Sequence, residues 1–181
     1  MEKTNNKRRQ NSKVAIQKAY MNLVISRNDI NTITVSDICK KANLNRTTFY
    51  SHYLDMNDLI QSIYEWMINE YLKIFEDEAK TGRHSFDFKK LFIHIKENQL
   101  FYKIYFKLGF DFKEIFAEKG SKDIADYFYK DTKYLDYHID FFAAGLTAII
   151  KKWLANDCKE SPETISKILV DEYQKKNDYD N

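Results

Sequence analysis

The chain has little that interrupts a helix: one proline and four glycines in 181 residues. That scarcity excludes most loop-rich β sandwiches, whose hairpins need a glycine, Asn-Gly or proline signal every ~8–12 residues. No stretch approaches the ~18 consecutive apolar residues of a membrane span. The start, MEKTNNKRRQNSK, is basic and polar with no apolar run behind it. The reading is a cytoplasmic chain, neither secreted nor membrane-spanning. The two cysteines, Cys39 and Cys158, lie far apart in helix-like stretches, without the spacing of a zinc site or a disulfide framework, and are read as reduced thiols. His52, His84, His94 and His138 have no histidine partner at i+3 or i+4, so no metal is expected. With no glycine-rich phosphate loop, no Gly-x-Ser-x-Gly and no cysteine beside a base, neither an enzyme nor a cofactor is expected. What is present is 44% hydrophobic residues, enough for a core, and the expectation is an all-α chain of one domain or two small ones.

Charge is unevenly spread. Residues 1–62 carry 10 Lys and Arg against 5 Asp and Glu, a net +5, while the remainder carries 19 against 22, a net −3. A basic head on a mildly acidic body suits a head that meets a polyanion.

Within that head, Ile16, Tyr20, Leu23 and Val24 recur at helical spacing and predict a first helix over 11–27. Thr34 and Asp37 form a short capping box ahead of Val35, Ile38, Cys39 and Ala42, an amphipathic second helix. Asn43 suits a left-handed turn residue and Asn45 an N-cap, so a third helix is predicted over 46–52. Two short helices joined by a turn of three or four residues make a helix-turn-helix. At 100° per residue Arg46, Thr47 and Tyr50 share an arc of about 100°, with Phe49 on a flank that can face a core. That face carries no acid. An arginine fork suits guanine, a threonine hydroxyl and methyl suit base edges, and tyrosine and histidine donate to phosphate.

The run from Ile33 to Leu59, with Thr-Thr-Phe-Tyr-Ser-His-Tyr at 47–53 as its most specific part, resembles the DNA-binding segment of the TetR family of bacterial transcriptional regulators. The resemblance covers roughly residues 11–60. It implies an all-helical homodimer whose three N-terminal helices bind double-stranded operator DNA and whose C-terminal bundle dimerises and often holds an effector. It places Thr34 and Ser36 where the second helix approaches phosphate, Arg46, Thr47 and Thr48 on the base-reading side of the third, and Tyr50 and His52 at phosphate-contacting positions. Two positions depart from the family's habit: Asn43 stands where glycine is usual in the turn, and Met56 where a lysine usually grips the backbone. Lys7, Arg8 and Arg9 are read as a flexible basic arm that compensates for the missing lysine.

The implied organisation is a helix-turn-helix domain over 1–54 and a dimerisation and effector-binding domain over 55–181, joined by a long helix. That helix is predicted from Asp55, capped by its own side chain with Asp58 three residues on, to about residue 78. A loop over 80–85 follows, then helices near 86–97, 99–108, 113–131 and 134–156. A last helix opens at Ser161-Pro162-Glu163, where the serine caps, the proline takes the first turn and the acid meets the helix dipole. In the 134–156 segment, small residues Ala143, Ala144 and Gly145 beside Phe141 and Phe142 let another helix approach closely, and the family pairs its last two helices across a dimer. Beyond residue 62 stand 12 Phe and 10 Tyr, including Phe101, Tyr102, Tyr105, Phe106, Phe110 and Phe112. Aromatics at this spacing are usually core, yet a pocket lined by them suits a small apolar or aromatic effector. The function expected is a sequence-specific DNA-binding regulator, a repressor released by an effector. The alternative is a helical adaptor that binds DNA weakly and non-specifically and acts mainly through a protein partner.

Overall fold

The computed structural model describes residues 2–73, 88–115 and 134–174. The predicted loop over 80–85, the helix end near 78 and most of the 113–131 helix lie outside those residues. Every regular element among the described residues is helical: α1 (Glu2–Ser26), α2 (Val35–Ala42), α3 (Arg46–Tyr50), α4 (Met56–Lys73), α5 (Phe88–Glu97), α6 (Gln99–Lys107), α7 (Phe112–Ile115), α8 (Leu135–Ala155) and α9 (Pro162–Gln174), with a 3-10 turn at Ile30–Thr32. None is long and apolar enough to cross a membrane. The chain divides into two compact units, Met1–Met67 and Ile68–Asn181.

The first unit is built around the apolar face of α1. Ile16, Ala19, Tyr20 and Val24 are buried with Ile38 and Cys39 of α2, Phe49 of α3, Tyr53, and Leu59 and Ile63 of α4. α1 departs from expectation at its start. It begins at Glu2, not near residue 11, so Lys7, Arg8 and Arg9 belong to a helix and not to a flexible arm. The physical reason is propensity: Glu, Lys, Arg and Gln in this stretch favour helix without supplying any apolar periodicity, and no proline or glycine stops propagation towards the N-terminus. Asp55 and Asp58 open α4 as expected, with the Asp58 amide donating to Asp55 Oδ1 (2.9 Å) and the Leu54 amide to Asp58 Oδ2 (2.8 Å).

In the second unit α5 buries Phe88, Leu91, Phe92 and Ile95 at i, i+3, i+4 and i+7, and packs on α9. α8 packs on α6 and α7 and buries Phe142, Leu146, Ile150 and Trp153. Trp153 meets Phe92 edge to face with centroids 5.5 Å apart, and its indole N–H donates to the Glu160 carbonyl at 3.2 Å. Ser161 caps α9 by accepting from the Thr164 amide at 3.1 Å. Of the clustered aromatics Tyr102, Tyr105 and Phe112 are core and Phe101, Phe106 and Phe110 are half-buried, with Tyr105 within 5.4–5.8 Å of Phe106, Phe110 and Phe112. Both cysteines are buried and unpaired, and burial pushes both thiols above their ordinary range. α8 splits the residues expected to dimerise: Phe142 and Ala143 enter the core, while Phe141 (63% exposed) and Ala144 face solvent, in a stripe with Tyr137 (77%) and Ala148.

His94 Nδ1 lies 2.9 Å from the Tyr102 hydroxyl. Burial depresses its pKa below 6.5, and the carboxylates of Glu97 and Glu70 oppose that only in part. Folding thus favours the neutral ring. Its contribution to stability is complete above the unfolded pKa and is lost as pH falls through the folded value. We expect the melting temperature to fall between about pH 7.5 and about pH 5.5, and His94→Gln to shrink that fall. An equal fall in variant and wild type would assign the effect to other groups.

Candidate nucleic-acid interface

The head presents its polar residues from three helices whose ends are set by local chemistry. At α2, Thr34 Oγ1 accepts from the Asp37 amide (3.2 Å), and the Thr34 amide donates back to Asp37 Oδ2 (3.0 Å), a complete capping box. The bond from the Thr34 amide is the largest influence holding the Asp37 carboxyl below its ordinary range, and Arg27, 3.1 Å from Asp37, adds to it. Thr34 Oγ1 also lies 2.8 Å from Asp37 Oδ2, so its hydroxyl is occupied by the cap. Ser36 stands exposed in the first turn of α2, beside amides that the helix leaves without intrahelical acceptors.

The turn follows the predicted chemistry. Asn43 adopts φ 54° and ψ 46°, and the Leu44 amide bonds back to the Cys39 carbonyl at 2.9 Å, closing α2 in a left-handed cap. Asparagine tolerates this region better than most residues, so it replaces the usual glycine at modest conformational cost. Asn45 then caps α3: its Oδ1 accepts from the Thr48 amide at 2.7 Å and from the Thr48 hydroxyl at 2.8 Å. Thr48, half-buried, therefore has its proton committed to the cap and can meet a base or phosphate only as an acceptor or through its methyl group.

Five residues cannot hold a helix alone. α3 persists because Phe49 is fully buried, with its ring centroid 5.4 Å from Tyr50 and 5.6 Å from Tyr53. That anchor turns Arg46, Thr47 and Tyr50 outward, all three exposed, and the Arg46 guanidinium reaches the Tyr50 hydroxyl at 3.5 Å. Of the residues singled out from sequence, Arg46, Thr47 and Tyr50 thus share one exposed face. Thr34 and Ser36 open the neighbouring helix, and His52 stands beyond the end of α3.

His52 is half-buried with Nε2 2.8 Å from Ser12 Oγ of α1. Burial lowers its pKa most, and the nearby cations Arg9 and Lys13 lower it further. Ser12, Arg8 and Arg9 were not singled out as neighbours of the reading helix. The available signal was register: Ser12 lies one turn before the core residue Ile16, and Arg8 and Arg9 one turn before Ser12.

In the second unit an open groove of about 330 Å³ is lined by Asp111, Lys113, Asp140, Thr147 and Lys151 with three alanines of α8. Its rim carries the Lys113–Asp140 ion pair at 2.9 Å.

A family model described as the C-terminal region of transcriptional regulators, of the TetR type, matches residues 85–172. The HTH-type dhaKLM operon transcriptional activator DhaS of Lactococcus lactis subsp. lactis (strain IL1403) is 28% identical over 123 residues, 68% of this chain and 64% of that protein. The uncharacterized HTH-type transcriptional regulator YxbF of Bacillus subtilis (strain 168) is 41% identical over 49 residues, 27% of this chain and 13% of that protein. The chain thus spans less than two thirds of the length of either curated relative. Among solved structures, a TetR transcriptional regulator from Streptococcus agalactiae 2603V superposes with a TM-score of 0.69 over 96% of this chain and 99% of that one, at 21% identity. That likeness is one of fold.

Proposed function

This chain belongs to the TetR family of transcriptional regulators, and from that premise we propose that it is a homodimer that reads operator DNA through α3. The observation that carries the proposal is the division of α3 itself. Phe49 is locked in the core, while Arg46, Thr47 and Tyr50, with no acid among them, face solvent in the geometry a major groove accepts. In this reading residues 1–54 are the DNA-binding domain and residues 55–181 dimerise and bind an effector, small and apolar or aromatic. Arg46 reads a guanine. Thr47 and the Thr48 methyl group meet base edges, and Thr34, Ser36, Tyr50 and His52 sit along the phosphates. The exposed stripe of Tyr137, Phe141, Ala144 and Ala148 joins two copies, setting the two α3 helices about 34–36 Å apart on a roughly palindromic site.

Repression, relieved by the effector, is the default action. A second reading, activation, is favoured by the similarity to the L. lactis operon activator, and transcription from a promoter carrying the recovered site separates the two.

The test is selection of bound duplexes from a random library, followed by affinity measurement on the selected and a scrambled duplex. Arg46→Ala is expected to lose about 1–3 kcal/mol on the selected duplex and to relax preference at one base pair per half-site. Weak binding that ignores sequence, with no effect of Arg46→Ala beyond its charge, would replace this reading with the adaptor.

A further inference from the structure

Resting on the DNA-binding reading, a second feature of the head goes beyond the reading helix. α1 continues past its core-facing turns and brings Arg8, Arg9 and Ser12 against Thr48, Ser51 and His52, around an open cleft of about 590 Å³. The lining contains two guanidinium groups, three hydroxyls and an imidazole, and no acid. Arg8, Arg9 and Ser51 are exposed. The Ser51 hydroxyl donates to the Thr48 carbonyl at 2.7 Å, so its oxygen remains an acceptor and its amide closes α3 onto Thr47 at 3.0 Å. Two guanidinium groups among hydroxyls, on a surface that adjoins α3, are the chemistry that recognises a phosphodiester.

We propose that this cleft is a clamp for adjacent phosphates of one DNA strand, with Arg8 and Arg9 neutralising them and His52 donating to one of their oxygens. It supplies from α1 the backbone grip that Met56 cannot.

Ser12 is the positioning residue. Its hydroxyl donates to the Arg9 carbonyl at 2.9 Å, with the Arg8 carbonyl at 3.2 Å, so its oxygen receives the Nε2–H of His52. The ring must then take up a second proton, on Nδ1, before it can donate to phosphate. The groups facing it are Arg9, Lys13 and Ser12 of α1, Thr48 of α3, Ser51 just past its end, and the Tyr53 ring at 6.1 Å. Arg9 and Lys13 oppose that proton in free protein, and a phosphate screens both. Binding therefore tightens as pH falls through the histidine range.

The experiment measures affinity of the full chain for the selected duplex and for a mixed-sequence duplex across a salt series. Arg8→Gln with Arg9→Gln keeps helix propensity and removes both charges. The variant is expected to lose affinity equally on both duplexes, and its salt slope to fall by about two. Raising salt from about 50 to about 200 mM then weakens wild type roughly tenfold more than the variant. Lys159→Gln with Lys167→Gln, an equal charge change in the body, should leave the slope alone. His52→Gln abolishes the tightening at lower pH, Ser12→Ala diminishes it and Ser12→Thr restores it. An unchanged salt slope in the Arg8/Arg9 variant, or a slope that falls equally in the Lys159/Lys167 variant, overturns the clamp. So does a loss confined to the selected duplex. Because the mixed-sequence duplex tests the clamp without any operator, failure of selective recognition by wild type is read separately and counts against the operator reading alone.

Discussion

Phe49→Ala is expected to remove DNA binding altogether while the body keeps its own melting transition. The ring is fully buried, and truncating a buried phenylalanine costs about 3–5 kcal/mol. The unit that bears this loss is Met1–Met67, small enough that its whole stability is on the order of 5 kcal/mol. α3 has only five residues and one fully buried side chain, so no remaining contact can restore its orientation. Circular dichroism should show loss of a low-temperature helical transition, and both the selected and the scrambled duplex should go unbound. A variant that melts as wild type does and binds operator normally would show that the head is held by something other than this ring.

The second large effect concerns assembly. Tyr137→Glu with Ala148→Glu places two carboxylates on the exposed stripe of α8, where the wild-type side chains are a ring and a methyl group. Both positions are outside the core, so the fold is expected to survive. Two copies brought together through that stripe would bury like charges, and the chain should run as a monomer in light scattering. A monomer holds one half-site and forgoes the linkage of the second, so affinity for the palindromic duplex should fall roughly 10²- to 10⁴-fold while binding to an isolated half-site changes little. A variant that remains dimeric would move the interface elsewhere on the body.

Where the sequence could be read, the determinants were local. Thr34 with Asp37, Asn43, Asn45, Asp55 and Ser161 each perform the capping or turn role their side chains suit, because a cap is decided within about four residues. The inward turn of Phe49 followed from helical geometry for the same reason. The beginning of α1 was missed because apolar spacing carries no signal in a stretch without apolar residues. The contact of Ser12 with His52 joins positions 40 apart in sequence, and register places Ser12 on the core-facing side of α1 without naming its partner. At Thr34 and Thr48 residue type suggested more hydrogen-bonding freedom than the fold leaves. A hydroxyl beside DNA-binding positions suits phosphate or a base, but both hydroxyls are taken by the caps that shape their helices. In the body the aromatic run suited a core with room for a pocket, and the structure buries Tyr102, Tyr105 and Phe112 while leaving Phe101, Phe106 and Phe110 half-buried around them.

The interleaving of anchor and reading face on so short a helix bears on how this protein can diverge. Arg46, Thr47 and Tyr50 are exposed, and of the three only Tyr50 also meets the anchor, its ring centroid 5.4 Å from Phe49, so substitutions at Arg46 and Thr47, and aromatic ones at Tyr50, can explore new DNA targets at little cost to folding. Insertion or deletion within α3 is a different matter. One added residue ahead of Phe49 swings the ring by about 100° out of the core and onto the groove-facing side, spoiling anchor and reading face in the same step. Drift in target preference is therefore open to point substitution and closed to changes of length. Descendants with new targets should differ at those three positions while keeping the spacing from Asn43 to Tyr53.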